Sequence, residues 1–287
     1  MKIKNLNPHL KKLGVDHLYH LGLDTSMNLK KMFGDVKYVC MGGSPDRAYV
    51  MAKKLAKDLK IKIKGSDLKP VGKSERYSVY KVGPIISASH GIGMPSLAVF
   101  MHEITKLLYY SECEDPMLMR IGTSGGVGLE GGTVVVTEEA LNAELKPVYE
   151  IVVLGKKRAY PAQLSKKINQ EIINANREFE VVQGKTVAAN CFYEEQSRLD
   201  GVLDPGFTEA DKMAFLNKAY MMGVRNFEME SSQFAAFCNR AGIKAAVVCV
   251  TLLNRLNGDQ ITASPKTLSG YSDNSQTVAV NYIRSRL

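Results

Sequence analysis

The chain has 287 residues, 45% apolar and 23% charged, with a formal net charge of +9. That length suffices for one large domain with a sizeable core, and no run approaches the roughly 18 apolar residues that span a bilayer, so no membrane partner is expected. Five cysteines (Cys40, Cys113, Cys191, Cys238, Cys249) without a C-x-x-C pair argue against a disulfide or zinc framework and for core thiols in a reducing cytoplasm.

Taken in chain order, residues 1–18 are Lys-rich and lack the apolar stretch of a secretory signal, so they read as an N-terminal extension. A strand is expected over 36–41, then a helix over 47–59 with Met51, Ala52, Leu55 and Leu59 as its buried stripe. Lys53, Lys54, Lys57 and Lys60 lie on the outward arc of that helix. Residues 1–75 hold 16 Lys/Arg against 7 Asp/Glu, whereas 76–287 hold 22 of each. A solvated helix face explains this excess better than a nucleic-acid footprint, and no finger, aromatic RNP pattern or basic heptad region supports the latter.

Strands at 77–82 and 85–89, a helix at 96–109 and strands at 117–121 and 133–137 follow. Next come a helix at 164–176, a strand at 181–189, helices at 209–222 and 231–240, a strand at 245–253 and a helix after Asp273. This alternation predicts an α/β fold, one domain over 1–287, with a parallel or mixed sheet covered by helices. Ligands of such sheets gather at the carboxyl ends of strands. Four segments leave strands there: Gly42-Gly43-Ser44-Pro45-Asp46-Arg47, Ser89-His90-Gly91-Ile92-Gly93-Met94-Pro95-Ser96, Arg120-Ile121-Gly122-Thr123-Ser124-Gly125-Gly126 and Asn254-Arg255-Leu256-Asn257-Gly258.

Three motif matches fail on context. Gly126-Val127-Gly128-Leu129-Glu130-Gly131 fits G-x-G-x-x-G, but Gly132-Thr133-Val134-Val135-Val136 reads as a strand, where a dinucleotide site needs a helix. Gly122-Thr123-Ser124-Gly125-Gly126 fits the nucleophile elbow, yet all five histidines precede Ser124, which rules out the order Ser, acid, His. His102-Glu103 opens like a zincin helix but has Lys106 where the second histidine belongs, and no metal site is readable.

Arginine beside glycine is more telling. Gly43 allows close backbone approach, Pro45 suits a first helical turn, and Arg47 can reach back over that N-terminus. Arg120, at the end of an apolar strand, needs an anion, and Thr123 adds a hydroxyl and an N–H. Two such segments in one chain point to a phosphate pocket, since phosphate takes arginine bidentately and N–H groups from several directions. In Phe192-Tyr193-Glu194-Glu195-Gln196-Ser197-Arg198-Leu199-Asp200, Gln196 and Arg198 project from one side of an extended loop. The Gln196 amide matches a base edge of one donor and one acceptor, and Phe192 suits stacking on a planar ring. Asn226-Phe227-Glu228-Met229-Glu230-Ser231-Ser232 sets two carboxylates around a methionine. It reads either as a helix start with acids in the first turn or as the holder of a vicinal diol.

On these segments, together with Leu18-Tyr19-His20-Leu21-Gly22-Leu23 and Leu252-Leu253-Asn254-Arg255, the chain resembles the nucleoside phosphorylases of the uridine phosphorylase type, and closely the animal form, from about Tyr19 onward. The resemblance implies a partly barrel-like central sheet and reversible phosphorolysis of uridine to uracil and ribose 1-phosphate. Inorganic phosphate would be co-substrate, with no metal or organic cofactor. It implies phosphate at Gly43, Arg47, Arg120 and Thr123, ribose at Glu228, Met229 and Glu230, and uracil at Phe192, Gln196 and Arg198 with Arg255 at a flap. It further implies a homodimer in which Arg76 reaches the neighbour's phosphate and His20 the neighbour's ribose. Catalysis would fall to Arg198, Gln196 and Arg120. One departure stands out: Glu195 occupies the position before Gln196 that is usually Gly, which motivates a weak or silent nucleoside-binding homologue as the alternative. A purine phosphorylase is the other, though purine-specific relatives carry an acid where this chain reads Val250-Thr251-Leu252-Leu253-Asn254.

Overall fold

Strands and helices alternate much as the sequence suggests, in a computed structural model that describes residues 2–63, 65, 67–177 and 180–287. Met1, where the N-terminal extension begins, lies outside them. The order is β1 (His17–Leu18), β2 (Leu23–Asp24), α1 (Leu29–Phe33), β3 (Tyr38–Gly42), α2 (Pro45–Asp58), β4 (Val79–Val82), β5 (Ile85–Ser89), α3 (Met94–Tyr110) and β6 (Met117–Gly126). Then follow β7 (Val134–Leu141), β8 (Val148–Val153), β9 (Lys156–Pro161), α4 (Lys166–Asn174), β10 (Val181–Ala188), α5 (Glu209–Met221), β11 (Val224–Glu228), α6 (Ser231–Ala241), β12 (Lys244–Asn254) and α7 (Pro265–Arg284). Backbone contacts group the chain into two units. One holds the residues up to Arg120 with Phe237–Ala245 and Arg286–Leu287; the other holds Ile121–Ala236 and Ala246–Ser285.

In the first unit β3 runs parallel to β5 on one side and to the start of β6 on the other, and β4 closes the edge antiparallel to β5. All of β5 and four of five residues of β3 are buried, so these strands read as apolar runs rather than alternations. Helix α2 starts at Ser44, whose hydroxyl accepts the Arg47 N–H, with Pro45 as the first helical residue. It buries Ala48, Met51, Ala52, Leu55 and Ala56 and turns Lys53 and Lys57 outward. Burial of Met51 and Leu55 contributes about 1.5–3 kcal/mol each.

The second unit contains a closed ring of five strands. From β6 it passes through β12, β7, β10 and β11, and β11 returns to β6 antiparallel through Asn226↔Gly126 and Phe227↔Gly125. The β7–β10 and β10–β11 pairs are parallel and the β7–β12 pair antiparallel, so the sheet is mixed and partly barrel-like. A buried polar chain crosses the ring: Asn226 Nδ2 donates to Ser124 Oγ at 2.9 Å, Thr186 Oγ1 donates to Asn226 Oδ1 at 2.7 Å, and the Thr137 and Thr186 hydroxyls meet at 2.6 Å. Buried polar groups joined this way fix one arrangement of the strands, because breaking a link strands its neighbour without water.

Four local expectations are corrected. Strand β6 runs on to Gly126 instead of ending at 121, so Gly122–Gly126 is ladder rather than glycine loop. The reason is steric: a Cβ on Gly126 would stand 2.5 Å from the Leu129 carbonyl oxygen and 3.0 Å from that of Leu253, so only glycine lets three backbones meet. Helix α7 begins at Pro265, well before Asp273, capped by Ser264, whose hydroxyl accepts the Thr267 N–H. The β8–β9 hairpin and β11 have no counterpart in the sequence reading. The hairpin is largely exposed on both faces, so it lacks the alternation that announces a strand. As for the rejected dinucleotide motif, Gly131-Gly132 leads into strand β7 and not a helix.

Candidate functional site

In the first unit the parallel strands β3, β5 and β6 end together, and the register pairs Met41 with Arg120 and Gly42 with Ser89. The loop after β3 and the loop after β5 are tied by the His90 N–H to the Gly42 carbonyl at 2.8 Å. A Cβ on Gly43 would lie 3.1 Å from the Gly91 carbonyl oxygen and 3.6 Å from Arg47 Nη2. Gly43 is therefore where two loops and a guanidinium converge. Arg120 is 3% exposed beside them. Two arginines and a helix N-terminus at the carboxyl ends of parallel strands have the chemistry to receive an anion.

His20 and Arg76 belong to a second cluster of the same unit. The Glu103 carboxylate on α3 accepts the backbone N–H groups of His20 and Leu21 at 2.8 and 3.0 Å and meets His20 Nδ1 at 2.6 Å. The Ser74 hydroxyl donates to the His20 carbonyl and accepts the Arg76 N–H at 3.0 Å. Arg76 itself is exposed. Glu103, set aside as half of a failed zinc motif, thus fixes the His20 ring.

In the second unit the segment after β10 is not extended. Glu194–Gln196 forms a 3-10 turn, and Ser197 follows in the left-handed region at φ 55°. That reversal buries Gln196 to 4% exposure and leaves Arg198 half-buried. Arg198 Nε and Nη2 bind the two Asp200 oxygens at 2.9 and 2.5 Å, and Nη2 also donates to the Asp259 carbonyl at 3.1 Å. Its guanidinium carbon sits 4.5 Å from the Phe192 ring centre, a cation–π contact that fixes both side chains. Hydrogen bonding from Arg198, above all, holds the Asp200 carboxyl below the usual carboxylate range despite partial burial. The Glu195 carboxylate turns back to accept the Asn190 N–H, closing the loop on the end of β10.

Arg255 is 1% exposed. It donates from Nε to Asp259 at 2.9 Å and from Nη2 to the Gln196 carbonyl. Its stem lies against Gly125, where a Cβ would approach Arg255 Cδ to 2.6 Å. Burial lowers its pKa from the ordinary arginine value, and Asp259 opposes that shift. Glu228, at the end of β11, accepts the N–H groups of Glu230 and Ser231 at 3.0 and 2.9 Å and the Ser231 hydroxyl at 2.5 Å, so it caps helix α6. Met229 is half-buried and Glu230 is 4% exposed. Thr123 is half-buried on β6, three residues beyond Arg120.

Sequence reasoning missed Asp200, Asp259 and Lys212. The first two had a signal, since Asp200 stands two residues from Arg198 and Asp259 four from Arg255. Lys212 had none, because only the fold brings α5 to Asp259. Among the described residues no cluster of His, Cys, Asp and Glu could hold a metal ion.

Arginines and glycines thus stand at parallel strand ends in a chain that also carries a five-stranded ring and a glutamine–arginine loop, and comparison with known proteins gives its class as a phosphorylase. The sequence pattern of the Phosphorylase superfamily matches residues 37–284, and the chain belongs to that superfamily, within its uridine phosphorylases. It is 44% identical over 286 residues to uridine phosphorylase 2 of Homo sapiens, covering 98% of this chain and 90% of that one. To uridine phosphorylase 1 of Mus musculus it is 43% identical, covering 98% and 92%. The crystal structure of uridine phosphorylase from Schistosoma mansoni in complex with uracil superposes with a TM-score of 0.92 at 39% identity, covering 98% of each chain.

Proposed function

We propose that this chain catalyses reversible phosphorolysis of uridine to uracil and ribose 1-phosphate. The observation that carries the reading is the turn holding Gln196 and Arg198. A buried amide and a guanidinium pinned along its Nε–Nη2 edge suit a pyrimidine, which offers one ring N–H and flanking carbonyls.

Phosphate needs no enzyme nucleophile, because its own oxygen attacks the anomeric carbon. Gly43, Arg47, Arg120 and Thr123 gather its charge, and Glu228, Met229 and Glu230 hold the ribose. As the C1′–N1 bond breaks, its electron pair leaves on the base while the sugar becomes oxocarbenium-like. Phosphate stabilises the sugar, and Arg198 with the Gln196 amide N–H stabilises the departing anion. The new C1′–O bond completes ribose 1-phosphate. Inorganic phosphate is the co-substrate, and the chemistry asks for no metal or organic cofactor.

The alternative of a silent homologue rested on Glu195. Its carboxylate is engaged by the Asn190 N–H, so its charge is drawn away from the departing base, which supports turnover. The reading extends to a homodimer in which His20 and Arg76 serve the neighbouring subunit; Arg76 is exposed, and Glu103 holds His20 ready. Free thiols at all five cysteines fit a cytoplasmic setting, and among the described residues no helix is long and apolar enough to cross a membrane.

The deciding experiment is uracil release from uridine with and without phosphate, with inosine as control. Release from uridine that depends on phosphate is expected. Release without phosphate would make the protein a hydrolase, and preference for inosine would make it a purine enzyme.

A further inference from the structure

A cluster of buried charge lies behind the base-recognising loop. Lys212 Nζ sits 2.7 Å from one Asp259 oxygen, and Arg255 Nε sits 2.9 Å from the other. The three residues are 5%, 8% and 1% exposed. From this cluster two hydrogen bonds run to the residues that read the base. Arg255 Nη2 donates to the Gln196 carbonyl, and Arg198 Nη2 donates to the Asp259 carbonyl. The next residue, Gln260, donates its amide to Asp200, which grips Arg198 along the Nε–Nη2 edge. The two Asp200 oxygens, the Asp259 carbonyl and Arg255 Nη2 that fix Arg198 and Gln196 thus all belong to the dipeptide Asp259-Gln260 or to its direct partners.

Stability alone does not explain such a cluster. Buried ion pairs are often replaced by apolar side chains without loss, because desolvation offsets the attraction. Packing does not explain it either, since Asp259 and Gln260 line a cavity of about 440 Å³ shared with Glu130, Asn254, Asn257 and Tyr271. What the charges do is hold two hydrogen-bonding groups in one geometry, with Arg255 wedged between Gly125 and the Phe227 ring 5.0 Å away.

We propose that Asp259 is a positioning residue for pyrimidine recognition: through Arg255 it sets the Gln196 turn, and through its own carbonyl it sets Arg198. This rests on the uridine reading above. Lys212 neutralises the carboxylate and keeps it in place. Neither residue touches the base; both act through the two that do.

The test is Asp259→Asn and, separately, Lys212→Met in the full chain, read by steady-state kinetics and by calorimetry with uracil. For Asp259→Asn the KM for uridine and the Kd for uracil should both rise by about tenfold or more, a typical consequence of unbalancing a buried charge pair, while the KM for phosphate stays within about twofold. Lys212→Met should shift the same two quantities in the same direction by a smaller factor, and it decides the matter if Asp259→Asn does not fold. A fall in kcat with unchanged uridine KM and uracil Kd, as a smaller folded fraction would give, overturns the proposal. So does equal weakening of uridine and phosphate. If the unaltered protein binds uracil but releases none from uridine and phosphate, the phosphorolysis reading fails while the uracil Kd of the variants still judges Asp259. An unaltered protein that binds no uracil overturns both.

Discussion

Arg198 shows how one guanidinium can be held and still be available. Its Nε and Nη2 are spent on Asp200 and the Asp259 carbonyl, which leaves Nη1 as the nitrogen without a protein partner among the described residues. A planar fork fixed along one edge presents the other at a set angle, which a lysine could not do. Arg198→Ala should therefore lower kcat about 100-fold, the loss typical of one donor to a developing anion, with a smaller change in the KM for phosphate. Steady-state rates on uridine at saturating phosphate check this, and unchanged turnover would remove Arg198 from the chemistry. The residue identities were legible in the sequence, since a glutamine and an arginine two apart suggested a base edge. Their conformation was not. An extended loop was expected, and the left-handed Ser197 folds it into a turn.

Among the elements, α6 bears out the helix-start reading of Glu228. The sequence allows either a helix start or a diol holder at Glu228, and its oxygens accept the Glu230 and Ser231 N–H groups and the Ser231 hydroxyl at the head of α6. The carboxylate there satisfies orphan N–H groups and faces the positive end of the helix dipole. Glu228→Ala should cost about 1–2 kcal/mol of stability, as the loss of a helix cap does, apart from any effect on ribose. Urea unfolding checks it, with a lower midpoint and unchanged slope expected. Strand β11, which carries Glu228, escaped notice because Val224, Arg225, Asn226, Phe227 and Glu228 show no clean alternation. Asn226 is buried only because Ser124 and Thr186 satisfy its amide. A polar residue that reads as surface becomes core once the ring closes around it.

For the whole molecule, acid is the condition to which paired carboxylates respond. Asp24, Asp200 and Asp211 are held below their ordinary value of 3.8, chiefly by the Ser26 hydroxyl, Arg198 and the Thr208 hydroxyl respectively, and Glu112 is held below 4.5 by Lys30. A depressed carboxyl pKa means that the unfolded chain binds the proton more readily. The stabilisation is thus complete above those ordinary values and is lost as pH falls through the folded ones. Thermal unfolding should show a Tm that is flat with respect to these groups from pH 5 to 7 and falls below about pH 4. A Tm unchanged down to pH 3 would contradict it.

Charge, glycine and periodicity can be read along the chain without its fold. That was enough for the α/β order, the loop from Gly43 to Arg47 and the glutamine–arginine pair, because each depends on neighbours a few positions apart. It took the folded chain to make Gly122–Gly126 a strand, to bury Gln196 in a turn, and to bring Lys212, Asp259 and Arg255 together behind it. Those outcomes depend on backbones and charges brought together from distant parts of the chain. Local propensity carries no information about which buried group will find its partner there.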